Sequence, residues 1–84
     1  MKKSLSIIIP VYNEKESLSL MIKILNSTLE FENEIIIVYD SADDNSIPVA
    51  KKLQSKFNNI VLIHNTFGKG VKYALKTGVE NSKY

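Results

Sequence analysis

Residues 34–46 read EIIIVYDSADDNS, an apolar run that stops abruptly at a string of polar residues. The run at residues 34–39 is rich in β-branched side chains and lacks polar alternation, so it predicts a strand buried on both faces. Two further runs of this kind lie at residues 5–9 and 59–63. Strands that are apolar throughout are typical of parallel sheets covered by helices.

The segments between and after these runs repeat apolar residues every three or four positions, which predicts amphipathic helices. Asn13, with Glu16 three residues later, forms a capping-box pattern before the first helix. Ser46 before Ile47 and Pro48 predicts a cap followed by a proline in the first turn. The apolar positions are Leu18, Met21, Ile22, Leu25 and Leu29, then Val49, Ala50, Leu53 and Phe57, then Val71, Ala74, Leu75 and Val79.

The order of elements is β-α-β-α-β-α, which predicts an α/β, Rossmann-like, three-layer fold with a parallel sheet. Right-handed crossovers place the first two helices on one face if the strand order is 3-2-1. The strand at residues 5–9 then lies at an edge, although it is as apolar as a central strand. An uncharged apolar edge pairs readily with another chain, so self-association through residues 5–9 is predicted. We expect residues 1–84 to be a single domain, the first part of a longer α/β domain.

Composition excludes several classes of protein. The 84 residues include no Cys, and 11 Lys and Arg against 9 Asp and Glu give a net charge of +2. The lack of Cys excludes a disulfide scaffold and a Cys-built zinc site and is compatible with the cytosol. The lysines are scattered, so no nucleic-acid partner is predicted. No apolar run approaches the roughly 20 residues of a membrane-spanning helix or the about 7 to 15 of a secretory signal.

Polar residues follow the end of every predicted strand. We name these segments the first, second and third rim loops, at residues 10–14, 40–46 and 64–70. In open parallel sheets, ligands bind beyond the carboxyl ends of the strands, where helix N-termini provide N–H groups and the positive end of a dipole. The carboxylates, amides, aromatic ring and lysine of these loops suit a nucleotide.

Residues 6–14, SIIIPVYNE, are similar to the opening of the family 2 glycosyltransferases of the GT-A fold, a group that includes the dolichyl- and polyprenyl-phosphate sugar transferases. Residues 34–46 resemble that family's second-strand motif, usually Val-Asp-Asp-Gly-Ser-x-Asp. Gly68-Lys69-Gly70, with Ala74 and Gly78, resembles its glycine-rich stretch. The resemblance spans essentially the whole chain. It implies the N-terminal, nucleotide-binding half of such a domain, truncated before the family's metal-binding motif.

The resemblance also implies a set of nucleotide-binding residues. The donor is expected to be a UDP- or GDP-linked sugar. Asp40 is expected to contact its base or ribose, and Lys69 to lie near its diphosphate. Tyr39 replaces the first acid of the usual pair, and this departure is expected to alter the base pocket. The predicted set is Pro10, Tyr12, Glu14, Asp40 and Lys69.

For the full-length enzyme, the resemblance implies transfer of the sugar to a lipid-phosphate or saccharide acceptor with help from Mg²⁺ or Mn²⁺. The family's metal ligands, catalytic base and acceptor site lie beyond the matched motifs, so no catalytic residue or metal ligand is assigned here. The isolated chain is expected to be inactive, because the metal that neutralises a leaving diphosphate has no ligands in it. We expect a cytoplasmic location, including the cytoplasmic face of a membrane for the full-length protein.

Each predicted contact also has a purely structural interpretation. Asp40 sits where an Asx side chain caps a turn, and Glu14 sits in a first helical turn, where the dipole favours a carboxylate. Tyr12 can shield the sheet edge, and Lys69 can be simply solvated.

Two further groups are interpreted structurally, and one other function remains open. Asp43 and Asp44 are interpreted as helix caps rather than metal ligands, and His64 as a partly buried structural residue. The alternative function is a flavodoxin-like signalling or receiver module with Asp40 as phospho-acceptor. A receiver requires paired acids after the first strand, where this chain has PVY at residues 10–12.

Overall fold

A computed structural model describes residues 4–28, 32–65 and 71–83 of the chain. Its three strands are parallel and lie in the order β1-β2-β3, which is the predicted 3-2-1 order seen from the other edge. The predicted α/β, Rossmann-like fold is therefore confirmed. The elements in chain order are β1 Ser4–Val11, α1 Lys15–Thr28, β2 Glu32–Tyr39, α2 Ser46–Lys56, β3 Ile60–His64 and α3 Val71–Glu80.

Helices α1 and α2 cover one face of the sheet. Leu18 and Ile22 of α1 are completely buried, as is Ala50 of α2, because their apolar stripes face the odd-numbered residues of β2. Both helices lie on the same face, as two successive right-handed crossovers require. The buried members of this cluster are Val11, Leu18, Ile22, Ile35, Ile37, Ala50, Leu53 and Ile60.

Helix α3 packs against β1 and β2 from the opposite face. There Ile36 and Val38 form a second buried cluster with β1 and β3 side chains. The helix approaches β1 closely at Gly78, where an added Cβ would lie 2.9 Å from Ile8 Cγ1 and closer still to Cγ2. Only glycine permits this approach without moving the Ile8 side chain.

The three strands differ in burial. Residues 35–38 of β2 are at most 1% exposed, as predicted. The prediction that all three strands are buried on both faces is wrong for β1 and β3, whose apolar residues are mostly half-buried. Leu5 of β1 is 40% exposed. Among the described residues, β1 and β3 each have a neighbouring strand on one side only, so their outer flanks remain partly accessible to solvent.

The backbone of β1 has one side turned away from the sheet. Ile35 is in register with Ile60, and its N–H donates to the carbonyl of the preceding residue, Asn59. The backbone groups of Ile35 therefore point towards β3. The backbone N–H and C=O groups of Ile36 and Val38 alternate with those of Ile35 and therefore point towards β1. The backbone N–H and C=O positions of their register partners in β1, Ile8 and Pro10, must therefore point away from the sheet. Proline fits such a position because it has no N–H to give to a ladder.

A buried carboxylate lies at the amino end of the sheet. Glu34 of β2 is 8% exposed, and its Oε1 accepts a hydrogen bond from Ser6 Oγ at 2.7 Å. The same oxygen accepts the backbone N–H of Lys83, which follows α3. Glu34 thus connects the end of α3 to the two strands beneath it.

The helices of the described residues are too short or too polar to cross a membrane.

Candidate functional site

The three rim loops begin at the same edge of the sheet. Val11, Tyr39 and His64 are the last residues of β1, β2 and β3, and they lie in register with one another. Because the strands are parallel, the following segments emerge where open α/β sheets bind ligands. In the third rim loop, residues 66–70 lie outside the described residues, and the predicted Lys69 is among them.

Hydrogen bonds between Asn13, Asp44 and Asn45 join the first rim loop to the second. The Asn13 N–H donates to both carboxylate oxygens of Asp44, at 3.1 and 3.0 Å. The Asn45 N–H donates in return to Asn13 Oδ1 at 3.0 Å. Asn13 is the one described non-glycine residue with positive φ, at 50°, a conformation that Asn tolerates better than most residues.

The next two amides of the chain are bound in the same way. The Glu14 N–H donates to Ser46 Oγ at 2.7 Å, and the Lys15 N–H donates to Asn45 Oδ1 at 3.1 Å. We call Asp44, Asn45 and Ser46 the loop clamp, because their side chains bind three successive amides of the other loop. The amides at the start of α1 are therefore already used, and the expectation that this helix offers free N–H groups to a ligand is wrong for residues 13–15.

Both predicted helix caps are wrong in their partners. Asn13 and Glu16 do not form a capping box, since the Asn13 side chain accepts from the Asn45 amide. Helix α1 begins after Glu14, whose carbonyl accepts the N–H groups of Ser17 and Leu18. The Ser46 hydroxyl binds the Glu14 amide rather than an amide of its own helix.

Asp44 caps α2, as predicted, whereas the predicted cap by Asp43 is wrong, because Asp43 accepts from the Ser41 hydroxyl instead. The Oδ1 of Asp44 accepts the Ser46 N–H at 2.7 Å, and the Asp44 side chain is buried, at 6% exposure. Burial alone would raise the pKa of Asp44. The hydrogen bonds from the Ser46 amide, the Ser46 hydroxyl and the Asn13 amide outweigh burial and lower the pKa below its ordinary 3.8. Asp44 is thus held as an anion between the two loops.

Asp40 is connected to the third rim loop and to α3. Its Oδ1 accepts a hydrogen bond from Asn65 Nδ2 at 2.7 Å. Asn65 Oδ1 in turn accepts from Thr77 Oγ1 of α3 at 2.8 Å. Asn65 and Thr77 are buried, at 6% and 2% exposure. A chain of two buried polar side chains, Asn65 and Thr77, therefore helps to orient the Asp40 carboxylate.

An aromatic pair occupies the rim beside Asp40. The rings of Tyr39 and His64 stack with centroids 5.0 Å apart and planes 8° from parallel. His64 Nε2 also donates to the Asp40 carbonyl at 3.0 Å. The structural interpretation of His64 is supported by these contacts, but its predicted partial burial is wrong, because its side chain is exposed. Tyr39 lacks the carboxylate that the resembled family usually has there and provides a stacking partner instead.

The remaining predicted residues lie along the first rim loop. Pro10 is still part of β1, opposite Val38. Tyr12 is 79% exposed. Glu14 directly precedes α1 rather than lying in its first turn, and its carboxylate accepts from Ser17 Oγ at 3.1 Å. Nucleotide contact by Pro10, Tyr12, Glu14, Asp40 and Lys69 stays a prediction.

Asp43 and Asp44 do not fit a metal site. The oxygens of Asp44 already accept two backbone N–H groups, and exposed Asp43 accepts from the Ser41 hydroxyl. Within residues 4–28, 32–65 and 71–83, no group of three or more His, Asp or Glu side chains is placed to hold a metal ion.

An open groove lies at the opposite, amino edge of the sheet, lined in part by Phe57 and Gln54. There Asn59 Nδ2 donates to Asn26 Oδ1 at 2.9 Å and to Asn33 Oδ1 at 2.8 Å. These amides bind each other and connect α1, β2 and β3. The groove lies at the opposite end of the strands from the rim loops, and the amide hydrogen bonds beside it hold neighbouring elements together.

Sequence reasoning missed the buried polar partners of the rim. The sequence does not single out Asn65 or Thr77, and it does not show that the Ser46 hydroxyl binds an amide of the first rim loop. Asn65 carried a usable signal, since it directly follows an apolar strand within the third rim loop. Thr77 carried none, because a lone Thr in a helical segment has no characteristic pattern.

Comparison with known proteins identifies the family. The sequence profile described as "Glycosyl transferase family 2" matches residues 6–84. The chain belongs to glycosyl transferase family 2, and the predicted resemblance is confirmed.

Three curated relatives agree with this assignment. The chain is 35% identical over 68 residues to the poly(ribitol-phosphate) beta-glucosyltransferase of Bacillus spizizenii, covering 79% of this chain and 11% of that protein. It is 33% identical over 78 residues to the dolichol-phosphate mannosyltransferase of Pyrococcus furiosus, covering 92% and 22%. It is 32% identical over 76 residues to the uncharacterized glycosyltransferase YibD of Escherichia coli, covering 90% and 22%. The matched segment thus spans less than a quarter of each relative.

Proposed function

We propose that this chain is the donor-nucleotide-binding portion of a nucleotide-sugar-dependent glycosyltransferase. The observation that carries the proposal is the convergence of the rim loops at the carboxyl edge of a parallel sheet in a family 2 chain. Two of the loops are hydrogen-bonded to each other. The second is hydrogen-bonded to the third through Asp40 and Asn65. A fixed rim of this kind supports binding of a ligand that spans several loops.

The predicted residues have chemistry that suits a nucleotide. A carboxylate such as Asp40 accepts hydrogen bonds from ribose hydroxyls or from base N–H groups. The exposed ring of Tyr12 offers an apolar face and a hydroxyl. Lys69 provides positive charge for a diphosphate. Because the amides of residues 13–15, at and just before the start of α1, are already bound, we propose that the diphosphate lies near Lys69 rather than at α1.

For the whole protein, we propose transfer of the sugar from a UDP- or GDP-linked donor to a lipid-phosphate or saccharide acceptor. Two named relatives are a glucosyltransferase and a mannosyltransferase, so a hexose donor is proposed. Mg²⁺ or Mn²⁺ would neutralise the leaving diphosphate. We propose that residues outside these 84 would bind the metal. We propose that the GT-A domain continues beyond these 84 residues, and that this portion alone is inactive.

The receiver alternative has no support from these comparisons. The family match covers residues 6–84, and one Asp40 oxygen is bound by Asn65. A receiver also needs further acids at the end of the first strand, where β1 ends in Pro10 and Val11.

Amide-shift NMR titration of the chain with UDP, GDP and inorganic pyrophosphate, with and without Mg²⁺, tests the proposed function. We expect UDP or GDP to shift amides of residues 10–14 and 40–46, with millimolar affinity, because the pocket is incomplete. Asp40→Asn should weaken the response several-fold. The matched control Asp43→Asn, an exposed acid in the same loop, should not. Shifts confined to the amino-edge groove, or no shifts with either nucleotide, would contradict the proposal.

We also infer that the isolated chain self-associates through the open edge of β1. Among the described residues, β1 pairs only with β2, and residues 5–9 carry no charge. An edge of this kind pairs readily with another strand.

A further inference from the structure

We infer that Asp44 is a positioning residue whose carboxylate, with Asn45 and Ser46, fixes the first rim loop against the second and so sets the shape of the donor site. The site itself rests on the proposed function. The clamp is a physical feature that can be measured without any ligand.

The first step in the inference is the sequence separation of the bonded groups. Asp44 and Asn13 are 31 residues apart, and Ser46 and Glu14 are 32 apart. A cap that served only α2 would need no partner outside that helix. Instead, the Asp44 carboxylate binds one amide of its own helix and one amide of the other loop. Its removal therefore disconnects the loops as well as the helix start.

The second step is the connection between Asp44 and Ser46. The Ser46 hydroxyl accepts the Glu14 N–H at 2.7 Å, and the Ser46 N–H donates to Asp44 Oδ1 at 2.7 Å. Ser46 is completely buried. A buried anion that accepts several hydrogen bonds binds them more strongly than a neutral acceptor does. The contacts of Asp44 and Ser46 therefore act as one unit rather than as independent surface bonds.

The third step is the position of the clamp relative to the predicted contacts. Glu14 is held through its own amide, and Tyr12 directly precedes the clamped Asn13. Asp40 begins the loop that carries the clamp at its far end. Loss of the clamp would leave each loop attached to its strand but would free the loops to move independently. A ligand that contacts both loops would then have to order them on binding, which lowers affinity.

The test compares Asp44→Asn with the matched control Asp43→Asn. An amide has one acceptor oxygen and places an NH₂ group near donors that a carboxylate satisfied. We expect hydrogen exchange at the Asn13 and Glu14 amides to become about tenfold faster in Asp44→Asn. Exchange at Ile22, in the middle of α1, should change much less, and Asp43→Asn should match the wild type at all three amides.

The ligand readout uses the same proteins. UDP or GDP should bind Asp44→Asn about fivefold or more weakly than the wild type, on the scale of one lost charge-assisted hydrogen bond. Ile22→Val weakens the core without touching the loops and should leave the affinity unchanged, which separates positioning from stability. If Asp44→Asn does not fold, Asn45→Ala replaces it, with the Lys15 amide as reporter, because Asn45 is exposed.

Unchanged exchange at Asn13 and Glu14 in a folded Asp44→Asn protein would overturn the clamp. Faster exchange with unaltered nucleotide affinity would overturn the positioning role. Should the wild type bind neither nucleotide, the proposed function fails, and the exchange comparison alone then decides whether the clamp exists.

Discussion

Asp44 shows how a single acid can serve two elements that are distant in sequence. Its oxygens bind amides at the start of α2 and before α1. Buried acids require such partners, because an unpaired buried charge is costly. Of the two adjacent acids in the second rim loop, buried Asp44 makes these contacts, whereas Asp43 is exposed.

Acid should weaken the fold through Asp44. Its folded pKa lies below the unfolded value of 3.8, so its ionised form contributes stability that is fully present above 3.8 and is lost as pH falls through the folded pKa. Asp44→Asn should remove this part of the acid dependence. Denaturant unfolding between pH 7 and about pH 2 measures it, and Asp43→Asn is the control that should retain the wild-type slope. An Asp44→Asn protein with the same slope as wild type would refute the assignment.

Gly78 should not tolerate a side chain. In an open helix, Gly→Ala stabilises by up to about 1 kcal/mol, but here the new Cβ would meet Ile8. We expect Gly78→Ala to lower the free energy of unfolding by about 1–3 kcal/mol, measured by urea denaturation. The neighbouring Val79→Ala, at a position 63% exposed, should change it by less than about 0.5 kcal/mol. In the Ile8→Ala background, the cost of Gly78→Ala should shrink, and an unchanged cost would argue against this contact.

At the level of single residues, the sequence predicted which side chains accept backbone N–H groups but not which N–H groups they accept. Asp44 was correctly expected to cap a helix, whereas Asn13 and Ser46 were assigned to local caps. The amides that these two side chains bind lie 32 residues away. A cap motif encodes only an acceptor side chain and the amides near it in sequence, so an amide of another loop that donates to that side chain leaves no trace in the motif.

At the scale of the element, α1 separates its buried stripe from its exposed side. Leu18 is fully buried, whereas Leu20, two residues later, is 64% exposed. This follows the periodicity of the helix, in which residues two apart point to different sides.

Truncation of these two leucines should therefore have very different effects. Leu18→Ala should lower the free energy of unfolding by about 2–5 kcal/mol, enough to unfold much of so small a domain. Leu20→Ala should change it by about 0.5 kcal/mol or less. Thermal unfolding followed by circular dichroism compares the two. Equal losses would mean that α1 packs in a different register on the sheet.

The strands were predicted from their β-branched runs, and all three exist near the predicted positions. Their equal burial was wrong because apolar sequence specifies compatibility with a core, not the area that neighbouring helices actually cover. Residues 35–38 are covered on both faces, while Leu5 is 40% exposed. Position in the sheet decides this difference, and position depends on elements elsewhere in the chain.

At the scale of the whole molecule, the described residues leave one edge of the sheet and several apolar side chains exposed. Besides Leu5, exposed apolar side chains recur one turn apart on α1 and α3. These are Leu20 and Ile24 on α1, and Leu75 and Val79 on α3.

Self-association should depend on β1. Leu5→Lys places a charge on the edge strand, a change that opposes edge pairing, and should shift the chain towards monomer in sedimentation experiments at high concentration. Gln54→Lys adds the same charge on α2 and should leave the association unchanged. A wild-type chain that stays monomeric throughout would contradict the prediction.

The location of the candidate site was predictable at this scale, since the carboxyl edge follows from parallel strand order alone. The hydrogen bonds that join the loops were not predictable, because they depend on how three separate crossovers bring Asn65, Thr77 and the loop clamp to one edge. Topology thus predicts where a ligand binds, while tertiary contacts determine the shape that it meets.

The outward position of Pro10 limits how far another strand can follow β1. A strand added along this edge can receive an N–H from Ile8 but none from Pro10. Pairing along this edge would therefore lack one hydrogen bond at Pro10. An added strand would be held less firmly there, next to Tyr12 and the first rim loop, than at Ile8.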